Sequence, residues 1–167
     1  MKTIETTVCE FAELSESAKD KAREWYRDGA LDYDWWESTY EDAGRIGLEI
    51  TGFGLDRDRH ATGKFIKDVE TVARLILKEH GESCETFKTA TSFLKEYSAV
   101  EVAIDDVLSR ELDEEREELA NEFRRSLLED YSIILQHEME WLLSNESVDE
   151  TITANEYTFT EEGKRFG

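Results

Sequence analysis

Residues 111–143 read ELDEEREELANEFRRSLLEDYSIILQHEMEWLL, and the rest of the chain is organised around them. The stretch holds no Gly or Pro and is rich in Leu, Glu and Arg, all strong helix formers. Leu112, Leu119, Phe123, Leu127, Tyr131, Ile134 and Trp141 recur at steps of three, four or seven, which draws one apolar stripe along a helix. At ~1.5 Å per residue, that helix is roughly 50 Å long. The opposite face is acidic, above all at Glu111, Asp113, Glu114, Glu115, Glu117 and Glu118. The apolar stripe needs a partner surface and makes the helix a spine for shorter helices. Its second half, residues 133–141, fits the core or a dimer seam.

Working outward, 167 residues suit one domain over 1–167, large enough to bury a sizeable core. With 39% hydrophobic and 11% aromatic residues, the chain has the composition of a folded protein. No apolar run approaches the ~18 residues of a membrane span. The N-terminal MKTIETTVCEF has no apolar core of a signal peptide, and two cysteines, Cys9 and Cys84, fit free thiols in a reducing compartment. The expected location is the cytoplasm. A net charge of −21 excludes duplex nucleic acid as a direct ligand, because phosphate binding needs a basic footprint. It also disfavours anionic membrane surfaces and favours a basic partner. Residues 58–99 carry seven acids and seven bases, whereas residues 100–167 carry twenty and six, so the acidity is segregated.

Residues 3–11 alternate as a strand, and Ser15 is a good N-cap for a helix to about Arg27 with Ala18, Ala22 and Trp25 inward. A second helix is expected over 32–46, with Trp35, Trp36, Thr39, Tyr40 and Ala43 on its aromatic face. Strands follow at 48–55 and 64–66, with Gly52 and Gly54 marking a bulge or a close backbone approach. Helices are expected at 68–80 and 84–97, and over 98–110 running into the long helix. A short helix capped by Ser144 ends near Asn155, a left-handed cap, before a strand at 156–160 and an exposed basic tail. The fold class is α+β: helix-dominated, one long helix in the C-terminal half, and a small, mostly antiparallel sheet holding the N- and C-terminal strands together with 48–55 and 64–66.

Motifs that carry chemistry are absent: no Cys-x-x-Cys, His-Glu-x-x-His, phosphate loop or Gly-x-Ser-x-Gly occurs. Asp56, Asp58 and His60 alternate and would share a face of an extended segment, a donor set for a divalent metal, but Arg57 and Arg59 make them read better as a solvated turn. Asp34, Glu37 and Glu41 fall on one helix face, where the bland reading is a solvated row. Trp35 and Trp36 are adjacent and cannot enter one core together; either one of them is partly exposed beside Asp34 and Glu37 as an aromatic anchor rimmed by carboxylates, or both are buried between different elements. The acidic run 111–118 is either a solvated face or a row approximating the phosphates of a nucleic acid.

SESAKDKAREWYRDG, DYDWWESTYEDA, CETFKTATSFLKEY and TITANEYTFTEEGKRF together resemble a family of small acidic proteins encoded by bacteriophages and prophages. The resemblance rests on Leu14-Ser15, Ala22-Arg23-Glu24-Trp25, Trp35-Trp36 and the run 154–163. It implies a phage context and supplies no catalytic residues or cofactor. By analogy it implies inhibition of host defence or of host nucleic-acid enzymes. The expectation is therefore a non-enzymatic, cofactor-free protein that binds a basic, nucleic-acid-handling host protein. Its partner-binding residues would be Glu111, Asp113, Glu114, Glu115, Glu117 and Glu118, with Asp34, Trp36 and Glu37 as a second patch. The alternatives are an accessory protein forming a homodimer through the long helix, and a metal-dependent enzyme at Asp56, Asp58 and His60.

Overall fold

A short strand, β1 (Cys9–Glu10), and a single 3-10 turn (Phe11–Glu13) lead into α1 (Glu16–Gly29) in the computed structural model, which describes residues 1–100 and 109–167. The helix starts at Glu16 because the Ser15 hydroxyl accepts the Ala18 N–H at 3.3 Å. The elements that follow are α2 (Glu37–Arg45), β2 (Leu48–Gly54), β3 (His60–Phe65), α3 (Val69–Glu79), α4 (Glu85–Val100), α5 (Ser109–Leu142), α6 (Asn145–Ala154), β4 (Thr158–Phe159) and β5 (Arg165–Phe166). The architecture is α+β. Two compact units are present, Met1–Trp35 with His137–Gly167, and Trp36–Gln136.

The first unit joins the two ends of the chain. β4 pairs antiparallel with both β1 and β5, placing Cys9 opposite Phe159 and Thr158 opposite Phe166. Phe11, Leu14, Ala18, Ala22, Val148, Ile152 and Phe159 form its core. The alanines let α6 approach α1 closely, and Arg23 fastens the pair, donating to both Asp149 carboxylate oxygens at 2.7 and 2.8 Å. Gly163 turns the chain between β4 and β5 at φ +90°, and a Cβ there would stand 2.1 Å from the Ala18 carbonyl oxygen. Only glycine meets both conditions.

The second unit packs α2, α3, α4 and the β2–β3 hairpin around α5. Ile46, Leu48, Val72, Ile76, Leu127 and Tyr131 are fully buried in its core. Phe93 of α4 stacks on Phe123 of α5 with ring centroids 4.2 Å apart. Arg59, beside the hairpin turn, binds α5 through Ser132 Oγ at 3.2 Å, Gln136 Oε1 at 2.9 Å and Glu129 Oε1 at 2.5 Å. The ladder slips between Ile50 and Gly52, the bulge that the glycines mark.

Several expectations are corrected. The strand expected at 3–11 is paired only at Cys9–Glu10, because its partner β4 is itself two residues long. The helix expected from Asp32 begins at Glu37; a tight turn donates the Trp35 N–H to the Tyr33 carbonyl at 2.8 Å and separates the tryptophans. The strands form two sheets rather than one, since β2 and β3 pair with each other as a local hairpin. On α5 the buried apolar residues are Phe123, Leu127, Leu128, Tyr131 and Leu135, whereas Ile134 and Trp141 are 41% and 45% exposed. A row of steps of four turns about 40° per step around a straight helix, so the buried strip winds away from Ile134. Trp25 is likewise 38% exposed, at the edge of its core. Asn155 is right-handed at φ −86°, and Glu156 takes the positive φ, 54°. The tail is tied down as β5, with the Arg165 guanidinium 4.9 Å from the centre of the Tyr157 ring. The helix expected at 98–110 lies mostly outside the described residues.

Candidate functional site

The first turns of α5 present Glu111, Asp113, Glu114, Glu115, Glu117 and Glu118, all exposed, and Glu122 continues the series. They stand together because one uninterrupted helix carries them, and acids in an opening turn also suit the helix dipole. Arg116 is the base within the run, 4.0 Å from Asp113 and 5.8 Å over the Tyr97 ring. Seven acids and one base over twelve residues leave about one net charge per 3 Å of axis at ~1.5 Å rise. A single nucleic-acid strand carries one per about 3.4 Å.

The second patch is only partly assembled. Asp34 is exposed in the loop before α2 and belongs to the first unit, so it leaves the helical row expected with Glu37 and Glu41. Trp36 is half-buried at the N-cap of α2, its ring 5.7 Å from Phe53, which in turn lies 6.2 Å from Tyr40. Trp35 is the buried member of the pair. Glu37 and Glu41, one turn apart on α2, face Glu49 of β2 across a groove of about 270 Å³ whose walls include Tyr40, Leu48, Ile50 and Ile66. The groove is thus apolar within and acidic at the rim. Partial burial pushes the Tyr40 phenol up from its usual range.

One constellation escapes sequence reasoning altogether. Asp42 of α2, His80 at the end of α3, Thr86 of α4 and Tyr131 of α5 form a polar hub. Tyr131 donates to Asp42 Oδ2 at 3.0 Å; His80 Nε2 lies 3.3 Å from the same oxygen, and its Nδ1 lies 2.6 Å from Thr86 Oγ1. The His80 ring holds the Asp42 carboxyl below the usual carboxylate range, against the opposing pull of burial and with help from the Tyr131 hydroxyl. Burial, then the Asp42 charge, pushes the Tyr131 phenol far up. Asp, His and Thr are the residue types of an activated nucleophile. Thr86 is 2% exposed, and the hub ties four helices together. Tyr131 and Asp42 are 89 positions apart, and no spacing in one sequence joins them.

Asp56 and Asp58 are exposed in the hairpin turn, and His60, expected in that turn, is exposed as the first residue of β3. His60 Nδ1 bonds the Asp58 carbonyl oxygen at 2.8 Å. Among the described residues, no three His, Cys, Asp or Glu side chains converge in a way that could hold a metal ion. Cys9 and Cys84 are free thiols. Among the described residues, no helix is long and apolar enough to cross a membrane. Comparison with models of known families, with curated proteins and with solved structures finds no match.

Proposed function

We propose that the chain is a non-enzymatic, phage-type binding protein that occupies the basic, nucleic-acid-handling face of a host protein. The observation that carries this reading is the exposed run from Glu111 to Glu122, whose linear charge density approaches that of a nucleic-acid strand on a rigid rod. Glu111, Glu114, Glu115, Glu118 and Glu122 fall within about 100° of one helix face, where a row of Arg and Lys can meet them. The test is capture from bacterial lysate on the immobilised protein at low salt, followed by elution with duplex DNA. Nucleic-acid-handling proteins should be retained and released by the DNA. The variant Glu114→Lys/Glu115→Lys/Glu117→Lys/Glu118→Lys should retain none. Retention of nothing that DNA displaces would refute the reading.

A second reading has its own support: Trp141 of α5 is large and 45% exposed. Such a residue suits a seam between two copies of the helix. Light scattering on the wild type and on Trp141→Ala distinguishes the two, since only the dimer reading requires a mass that halves on substitution.

A further inference from the structure

We propose that the groove between α2 and β2 receives a cationic, amphipathic segment of the partner, in which an Arg or Lys is flanked by aliphatic side chains. The inference rests on the binding-protein reading above and adds to it a second contact with its own chemistry. At about 270 Å³ the groove is smaller than the ~300–1,000 Å³ of small-molecule sites, so it suits one or two side chains. Its interior is apolar. Leu48 and Ile50 supply the buried wall, Tyr40 the aromatic one, and Ile66, 52% exposed, an open lip. Gly44 keeps one side clear, since nothing lies within 4 Å of where its Cβ would be. The rim is acidic: Glu37 and Glu41 from the helix, Glu49 from the strand, all exposed. Lys64 stands opposite Glu49 in the ladder and offsets part of that charge. An Arg or Lys answers both features at once, because its methylene stem lies along apolar surface while its head stays with the carboxylates in water. A phosphate or an anionic lipid headgroup is repelled by the same rim, and a purely apolar segment leaves three carboxylates facing no cation.

The probe is a short fluorescein-labelled peptide alternating Arg and Leu, followed by fluorescence anisotropy on the full chain near physiological salt. The Arg/Leu peptide should bind about tenfold more tightly than a matched Arg/Gln peptide, the factor expected for burying a leucine. Glu37→Lys/Glu41→Lys should weaken it at least tenfold, and Ile66→Ser should weaken it by a smaller factor. If the double lysine variant does not fold by circular dichroism, Glu37→Gln/Glu41→Gln replaces it with the same expected direction. The charge reversal on α5 should leave the preference for the Arg/Leu over the Arg/Gln peptide unchanged, because that preference reads the apolar interior of the groove and not the charge on α5. Equal affinity for the Arg/Leu and Arg/Gln peptides, or no loss in the Glu37/Glu41 variant, overturns the groove. Self-association of the free chain that this variant abolishes would overturn it too, and assign the groove to a second copy. Loss of lysate capture in the α5 variant beside an unchanged groove variant would sink the groove alone. Peptide binding with no DNA-displaceable capture would sink the mimic alone.

Discussion

At the scale of single residues, the positions that matter most to stability are those where geometry leaves no substitute. Gly163→Ala should cost 3 kcal/mol or more by order of magnitude, because the backbone is left-handed there and the new Cβ meets the Ala18 carbonyl oxygen at 2.1 Å. A urea midpoint within error of the wild type would show that the β4–β5 turn is not held this way. Asp42 and Asp130 give a pair of opposite pH effects. Asp42 has its folded pKa lowered, chiefly by His80, so its stabilisation is present above the ordinary carboxylate range and is lost as pH falls through the folded value. Burial raises the folded pKa of Asp130, although the Thr89 hydroxyl donates to it at 2.6 Å. Its carboxylate therefore favours folding in acid and opposes it as pH rises from the ordinary range through the raised value. Asp42→Asn should lower the melting temperature at neutral pH, by a deficit that narrows in acid. Asp130→Asn should raise it at neutral pH, by a gain that also narrows in acid. Melting curves at matched pH decide both. Residue-scale features with local causes were legible: Ser15 and Ser144 cap the helices expected of them, each through a side chain three residues from its partner. The Asp42–His80–Thr86–Tyr131 hub was not, because its members come from four elements and share no motif.

At the scale of elements, periodicity identified α1, α3, α5 and α6 closely, because each has an apolar face of helical period and a recognisable start or stop. It failed where a partner decides the outcome. Residues 3–8 have strand-like alternation and no strand to pair with among the described residues, so propensity alone did not make them β. The start of α2 failed for a different reason: Asp32 and Asp34 are good helix-opening residues, yet the turn at Tyr33–Trp35 displaces the helix to Glu37. The same limit applies along α5, where an even stripe from Leu112 to Trp141 describes its first half better than its second. Two substitutions on this helix measure the difference. Phe123→Ala removes a ring that is 3% exposed and stacked on Phe93, and should cost about 3–5 kcal/mol. Trp141→Ala removes a ring that is 45% exposed, and should cost less than about 1 kcal/mol. Equal losses in chemical denaturation would restore the even stripe and return Trp141 to the core.

At the scale of the whole molecule, the dominant quantity is charge. A net −21 on 167 residues makes self-repulsion a standing cost of the compact state. The ion pairs among the described residues do little against it. Five of the eight are between residues three or four apart on one helix, and such exposed pairs contribute at most about 1 kcal/mol each. Among the described residues, the Arg ion pairs that join distant parts of a unit are Arg23 to Asp149 in the first and Arg59 to Glu129 in the second. The sequence made the net charge plain and the pairing of the chain ends legible through the terminal strands. It did not reveal that residues 36–136 form a unit with their own core, since that division follows from contacts rather than from any linker composition. Added salt should therefore stabilise the protein, because raising ionic strength from about 0.01 to 1 M shrinks the Debye length from ~30 to ~3 Å and screens repulsion among exposed carboxylates. The melting temperature should rise steadily with sodium chloride. In the α5 charge-reversal variant, four carboxylates become four ammonium groups, so the net charge falls in magnitude and the same titration should give a visibly shallower rise. A melting temperature that falls with salt in the wild type would mean that the exposed pairs outweigh the repulsion. The acidity would then be a stabilising network of the fold, and not an unbalanced surface available to a basic partner.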